Sequence, residues 1–152
     1  MHFEKIIEIT RIKQEIKEIE ESYKSYLPEK ITEPIDAIKF VQALIGDEDR
    51  EVFLVICLNE KNQIITVHRC HTGSLGASIV HPREVFKTAI MNNSHSIIVA
   101  HNHPSGHCQC SPEDVTVSEK LIEIGQILNI EVLDSLIVSH KNGVSLKKQM
   151  YI

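Results

Sequence analysis

The stretch Ser96-Ile97-Ile98-Val99-Ala100, followed directly by His101-Asn102-His103-Pro104, decides the interpretation of this chain. The apolar run 96–100 is typical of a buried strand. Since side chains on a strand alternate between two faces, His101 and His103 are expected to point the same way. Asp114 returns to the same place from the start of the next predicted helix. Two imidazole nitrogens, one carboxylate and an open fourth position describe a catalytic zinc site, so we predict that His101, His103 and Asp114 bind Zn²⁺.

The string Ser111-Pro112-Glu113-Asp114 has the composition of a helix N-terminus. Serine caps the helix, proline occupies the first helical position, and acidic residues favour the positive end of the helix dipole. This explanation requires no catalytic role, but a capping serine can also line a site. Amide hydrolysis needs a hydrogen-bond donor for the developing oxyanion, and Ser111 is the candidate.

The pattern His101-x-His103, seven residues, Ser111, two residues, Asp114 resembles the JAMM motif of MPN+ (JAB) metalloprotease domains. The chain also resembles, more narrowly, the RadC family. The resemblance covers residues from about 31 to the end. It implies an α/β (α+β) fold of the MPN/JAB type, with a mixed β-sheet flanked by helices and here an extra N-terminal helix. The strings that carry the RadC resemblance are His81–Phe86, His101–Gly106, Ser111–Asp114 and Glu131–Asp134.

The resemblance implies a zinc-dependent hydrolase that cleaves a peptide or isopeptide bond of a peptide or protein substrate. Ser111 would assist at the water or the oxyanion. The catalytic glutamate of the family stands in a Glu-x-Phe context at the head of the first strand, which here is Glu51-Val52-Phe53. Glu51 is therefore the expected general base. Glu48 ranks behind it, because it would lie in the loop that follows Gly46.

A second hypothesis is a metal-retaining adaptor or binding module linked to DNA repair or mobile-element biology. MPN domains occur both as enzymes and as scaffolds, and scaffold members typically lose the metal ligands that this chain keeps. RadC proteins commonly carry an N-terminal DNA-binding helical hairpin, and no Gly-containing hairpin precedes residue 31 here. The enzyme is therefore the leading hypothesis.

The loop between the predicted ligands contains His107-Cys108-Gln109-Cys110, where the RadC family typically has Asp and Pro. Two thiols and an imidazole beside a zinc site suggest redox sensitivity or a competing coordination mode. One alternative is a closed structural site in which Cys108 and Cys110 join the two histidines, although such sites more often use Cys-x2-Cys pairs. Cys57 lies in the apolar run 53–58 and is expected to be a buried thiol.

Length and composition suit one domain, since 152 residues can bury a hydrophobic core. The net charge of −5 gives no support to nucleic-acid binding, because a large nonspecific surface would need clustered Lys and Arg. The sequence contains no secretory apolar segment and no run of eighteen apolar residues. We therefore expect a cytoplasmic protein without membrane association, whose thiols are reduced.

Residues 3–27 are predicted to form a helix with a heptad seam. The spacing 3-4-3-4-3 joins Ile9, Ile12, Ile16, Ile19, Tyr23 and Tyr26. Residues 1–28 are accordingly taken as a separate helical segment and 31–152 as the RadC-like domain. The helix either docks on its own domain or forms a homodimer with a second copy.

The remaining pattern alternates strands and helices. Predicted helices begin after Thr32, at Pro82 and after Ser111, the first ending at Gly46. Their buried residues are expected to include Ala37, Ile38, Val41, Leu44 and Ile45 in the first and Val115, Leu121, Ile122 and Leu128 in the last. Predicted strands cover 51–58, 63–70, 96–100 and 131–138, with a short last strand after the turn Asn142-Gly143.

Overall fold

The computed structural model describes residues 5–73 and 80–152. Five strands form one mixed sheet in the order β2-β1-β3-β4-β5, in which β3 and β4 are parallel and the other neighbouring pairs are antiparallel. The architecture is α+β, as the sequence predicts. Within the described ranges, no helix has both the length and the apolar character needed to cross a membrane. The elements are α1 (Glu21–Lys24), α2 (Pro34–Ile45), β1 (Glu51–Leu58), β2 (Ile64–Gly73), α3 (Pro82–Met91), β3 (Ser96–Asn102), α4 (Pro112–Leu128), β4 (Glu131–Val138) and β5 (Gly143–Ser145).

The sheet is covered on both faces, which explains why its central strands are almost continuously apolar. α2 packs on one face with Leu54 and Ile56 of β1, while α3 and α4 pack on the other face with Val55 and Cys57. The Cys57 thiol is fully buried, as predicted. Since β3 is buried along its whole length, the end of β3 that carries His101 lies inside the domain.

The bounds of α2 differ slightly from the prediction. Glu33, not Thr32, precedes the first turn, and Thr32 instead donates from its N–H and its hydroxyl to Asp36 Oδ2. Gly46 ends the helix in a right-handed conformation, with φ −60°. A Cβ at Gly46 would lie 2.5 Å from the Gln42 carbonyl oxygen. Glycine is therefore needed there for a close approach and not for left-handed geometry.

Burial along α4 also differs from the prediction. Leu121 is buried as expected and Ile122 is partly buried, but Leu128 is 41% exposed. The fully buried stripe consists instead of Ser118, Leu121 and Gly125. Small residues lie on this stripe because the helix backbone approaches the sheet closely there. A periodicity read from large apolar residues alone misses such a face.

The N-terminal segment is not the long helix predicted over residues 3–27. In its described part, from residue 5 onward, only Glu21–Lys24 are helical. A helix of this kind draws most of its stability from packing an apolar face, and the first part of the seam lies in solvent. Ile19 and Tyr23 do pack against the α2 side of the core. The boundary between 1–28 and 31–152, and a homodimer through this segment, remain predictions. The seam residues that are at least 70% exposed are Ile9, Ile12 and Ile16.

Gly125 gives a test of the packing between α4 and β4. A Cβ at Gly125 would lie 2.4 Å from the Ile130 carbonyl oxygen and 3.2 Å from Val132 Cγ2. An exposed helical Gly→Ala change normally stabilises a protein by about 1 kcal/mol. Here we expect Gly125→Ala to lower the free energy of unfolding by about 1–3 kcal/mol, because the backbone must move. Chemical denaturation measures this, with Glu119→Ala on the exposed face of α4 as the control. Equal or higher stability of Gly125→Ala would contradict the prediction.

Candidate metal centre

The structure brings the three predicted ligands together at the end of β3. His101 Nε2 lies 3.2 Å from His103 Nε2 and 3.1 Å from Asp114 Oδ1. His103 Nε2 lies 3.5 Å from Asp114 Oδ2. One ligand atom from each residue lies within 4.8 Å of the others. The alternation of the strand and the start of α4 thus converge on one point.

The orientation of the two imidazoles fits a metal ion. His103 Nδ1 lies 2.8 Å from the carbonyl oxygen of His107. Because a carbonyl only accepts hydrogen bonds, Nδ1 carries the hydrogen and Nε2 of the neutral ring presents its lone pair to the cluster. The His101 ring stacks on Phe53, with ring centroids 6.2 Å apart and planes 9° apart. Two oriented nitrogens and a carboxylate form the donor set that zinc prefers.

Ser111 caps α4 and at the same time holds the Asp114 carboxylate. The Asp114 N–H donates to Ser111 Oγ at 3.1 Å, and the Ser111 N–H donates to Asp114 Oδ2 at 2.9 Å. This reciprocal capping box satisfies two donors that the helix leaves unpaired. Asp114 Oδ1 remains directed to His101. The helix cap and the candidate ligand are therefore one local structure.

The contacts within the cluster change the pKa values of Asp114 and His103. Burial raises the pKa of Asp114, but the bonds from His101 and His103 outweigh it and hold this pKa well below its ordinary range. The bond to Asp114 raises the pKa of His103, against burial, and the charge of Glu51 acts in the same direction. In the metal-free site the Asp114 carboxylate and the protonated form of His103 therefore stabilise each other.

These shifts predict how pH affects the metal-free protein. The raised His103 pKa contributes stability that is fully present below about pH 6.5, the ordinary histidine pKa. This stability is lost as the pH rises through the pKa of His103 in the folded protein. The lowered Asp114 pKa contributes stability that is present above 3.8 and is lost on acidification through its folded-state pKa. We expect metal-free protein to have a higher free energy of unfolding at about pH 6 than at about pH 8.5. Urea unfolding at both pH values measures this difference in the free energy of unfolding. If His103→Ala showed the same difference as wild type, the attribution of the pH effect to His103 would be refuted.

Glu51 lies on the same face of the sheet as the candidate histidine ligands. β1 pairs with β3 so that Phe53 opposes His101, and Glu51 follows on the same face two residues away. Glu51 lines a pocket of about 580 Å³ together with the three candidate ligands and Ser111. Glu48, the lower-ranked candidate, is not among the lining residues and instead pairs with Arg69 at 3.3 Å. The structure therefore places Glu51, and not Glu48, beside the ligands.

Other pocket walls come from elements that sequence reasoning did not connect. A hydroxyl pair lies at the back of the pocket, where Ser118 Oγ is 2.8 Å from both the Asp114 carbonyl oxygen and Ser135 Oγ. The single Ser118 hydrogen must go to the carbonyl, so the Ser135 hydroxyl donates to Ser118 and keeps its own lone pairs. The sequence offered one signal for this pair. Ser118 and Ser135 are polar residues in elements that pack on the core, and a buried polar side chain requires a hydrogen-bond partner. The remaining lining residues are Phe53, Val80, Pro104, Ser105, Glu113 and Val117.

The two thiols of the ligand loop lie outside the cluster. Cys108 is buried and its Sγ donates to the Asn142 carbonyl oxygen at 3.3 Å. Cys110 Sγ lies 3.4 Å from the Ser111 carbonyl oxygen, and burial raises the pKa of this thiol. Among the described residues, the group able to hold a metal contains neither cysteine. The structure thus does not show the closed site with four ligands. His107 takes part through its carbonyl oxygen, which accepts the hydrogen bond from His103 Nδ1. Redox sensitivity remains a prediction.

Comparison with known proteins supports the resemblance. A family model of the RadC-like JAB domain matches residues 31–151. A UPF0758 protein of Methanosarcina barkeri is 44% identical over 123 residues, which cover 81% of this chain and 54% of the relative. UPF0758 proteins of Caldanaerobacter subterraneus subsp. tengcongensis and Geobacillus sp. are 47% and 48% identical, over 80% of this chain and 52% and 54% of their own lengths. The chain spans about half the length of the curated relatives it matches. Since the matched range is most of the chain and contains the whole candidate site, the chain belongs to the family of RadC-like JAB domains.

Proposed function

We propose that this protein is a zinc-dependent hydrolase of the JAMM type that cleaves a peptide or isopeptide bond. The observation that carries the proposal is the presence of Glu51 in the pocket that also holds His101, His103 and Asp114. A closed structural site would need four ligands and no base, whereas three ligands beside a carboxylate are typical of hydrolytic zinc centres. Membership of the JAB-domain family agrees with this chemistry.

His101, His103 and Asp114 would hold the metal, and a zinc ion held there would act as a Lewis acid that polarises the attacking water and the substrate carbonyl. Glu51 takes a proton from the attacking water as the water oxygen bonds to the carbonyl carbon of the substrate. The same carboxyl then returns this proton to the leaving nitrogen as the C–N bond breaks. One water is consumed, and the products are a carboxylic acid and an amine, between which a proton moves to give a carboxylate and an ammonium group.

Ser111 serves the oxyanion. Its Oγ accepts from the Asp114 N–H, so the hydroxyl hydrogen is available to an oxygen in the pocket. The capping bonds hold the hydroxyl in place before the substrate arrives, which is the condition for electrostatic stabilisation of a developing charge. We expect Ser111→Ala to lower turnover by about 10²-fold, the effect typical of removing one oxyanion donor.

The shape of the pocket supports a peptide as substrate. A volume of about 580 Å³ lies within the usual range of about 300–1,000 Å³ for ligand pockets. Phe53, Val80 and Val117 supply apolar wall, while Ser135 offers acceptor lone pairs at the back. Such walls suit an apolar side chain of a peptide whose backbone N–H groups donate hydrogen bonds.

Cleavage of a defined peptide library by zinc-loaded protein tests the proposal, with products identified by mass spectrometry. We expect new termini that disappear on chelation and return on addition of zinc. Protein that retains one zinc per chain but cleaves neither the peptide library nor isopeptide-linked conjugates would contradict the proposal and favour the adaptor hypothesis. Cleavage that persists after chelation would reveal a contaminating protease.

A further inference from the structure

We propose that Asn102 is a positioning residue whose side chain holds Glu51 in place for catalysis. Asn102 lies between the two candidate histidine ligands and is fully buried. Neighbouring residues on a strand face opposite sides, so its amide points away from the metal cluster. This inference rests on the proposed function, in which Glu51 is the general base.

Three hydrogen bonds join the Asn102 amide to the chain on either side of Glu51. The Val52 N–H donates to Asn102 Oδ1 at 2.6 Å. Asn102 Nδ2 donates to the carbonyl oxygens of Arg50 at 2.9 Å and Glu48 at 3.3 Å. Both amide hydrogens and the amide oxygen are thus used on the backbone of residues 48–52. The contacts flank Glu51 at positions 50 and 52.

The amide continues the β-ladder where the backbone ladder ends. Among the described residues, the pairing of β1 with β3 runs from Leu58↔Ser96 to Phe53↔His101 and goes no further. Asn102 Oδ1 takes up the next donor, the Val52 N–H. A side-chain amide has the donors and the acceptor of a peptide group and can replace one at the end of a strand. β1 is thereby tied to β3 at the level of Glu51.

This tie couples the position of the base to the position of the ligands. His101 and His103 are the sequence neighbours of Asn102, and Glu51 lies between the two residues whose backbone the amide binds. Glu51 is the first residue of β1, pairs with Gly73 of β2 on its other side and follows the loop after α2. The amide therefore sets the distance between Glu51 and the metal cluster without touching substrate or metal.

The test compares Asn102→Thr and Asn102→Ser with Glu51→Gln in protein loaded with one Co²⁺ per chain. Both replacements suit a strand but are too short to reach the three backbone groups. The pH at which the visible absorption of bound Co²⁺ changes reports the charge beside the metal. Ser96→Ala is the control, because Ser96 is buried at the other end of β3 with an unpaired hydroxyl. Cobalt stoichiometry and thermal unfolding verify the fold of each variant.

We expect Glu51→Gln to shift the spectral transition, and each Asn102 variant to shift it in the same direction by at least half as much. The double variant Glu51→Gln with Asn102→Thr should show the same transition pH as Glu51→Gln alone. Exchange of the Val52 amide hydrogen should accelerate at least about tenfold in the Asn102 variants only. Asn102 variants that titrate like wild type while Glu51→Gln shifts would overturn the inference alone. A Glu51→Gln protein that titrates like wild type would overturn Glu51 as the base, and the inference with it.

Discussion

Replacing His103 with alanine is expected to abolish zinc binding. The change leaves one imidazole and one carboxylate, and two ligands do not complete a catalytic zinc site. Loss of a residue that merely supports a ligand typically costs about 10–100-fold in metal affinity, so loss of the ligand itself should exceed about 100-fold. Elemental analysis of reduced protein should show about one zinc per wild-type chain and nearly none in His103→Ala. Hydrolysis should be lost with the metal.

Two controls make the zinc experiment specific. His140→Ala removes an exposed histidine near the same loop, where the His140 ring lies 3.2 Å from the position of a Cβ at Gly106. The double variant Cys108→Ser with Cys110→Ser removes both thiols of the loop. Both controls should keep full zinc content, since neither changes the cluster. Zinc that stays in His103→Ala, or leaves with the cysteines, would disprove the assignment of ligands.

Changing Glu51 to glutamine should separate metal binding from turnover. Glutamine keeps the size of the side chain but cannot accept the proton of water. General acid–base catalysis contributes about 10²–10⁴-fold, so we expect kcat to fall by that factor while zinc content and thermal stability stay as in wild type. Steady-state rates on a cleaved library peptide, with metal analysis of the same samples, give the result.

Glu48 supplies the matched control for this experiment. Glu48 lies in the loop just before β1, three residues from Glu51, but it pairs with Arg69 and does not line the pocket. Glu48→Gln should therefore change kcat by less than about fivefold, the factor that corresponds to about 1 kcal/mol, which is the upper value for an exposed ion pair. A larger loss in Glu48→Gln than in Glu51→Gln would show that the wrong carboxylate was assigned. Loss of zinc in Glu51→Gln would make Glu51 a ligand instead of a base.

The N-terminal segment and α4 show why pattern alone predicts some elements and not others. The heptad spacing of residues 9–26 is real, yet whether a helix forms depends on a surface to cover it, and sequence does not state which surface is available. In α4 the cap at Ser111 was predictable because capping involves only four consecutive residues. The buried stripe through Ser118 and Gly125 was not, because it reflects the approach of a distant strand.

The local part of the candidate site was determined by sequence alone. Strand alternation directs His101 and His103 to one side, and the capping box orients Asp114, because both depend on backbone geometry within a few residues. Tertiary structure decided what surrounds these ligands. The antiparallel register of β1 on β3 brings Glu51 to the pocket, and the parallel pairing of β4 adds Ser135. These contacts join residues tens of positions apart, so they are set by sheet order and packing and not by any local preference of the chain.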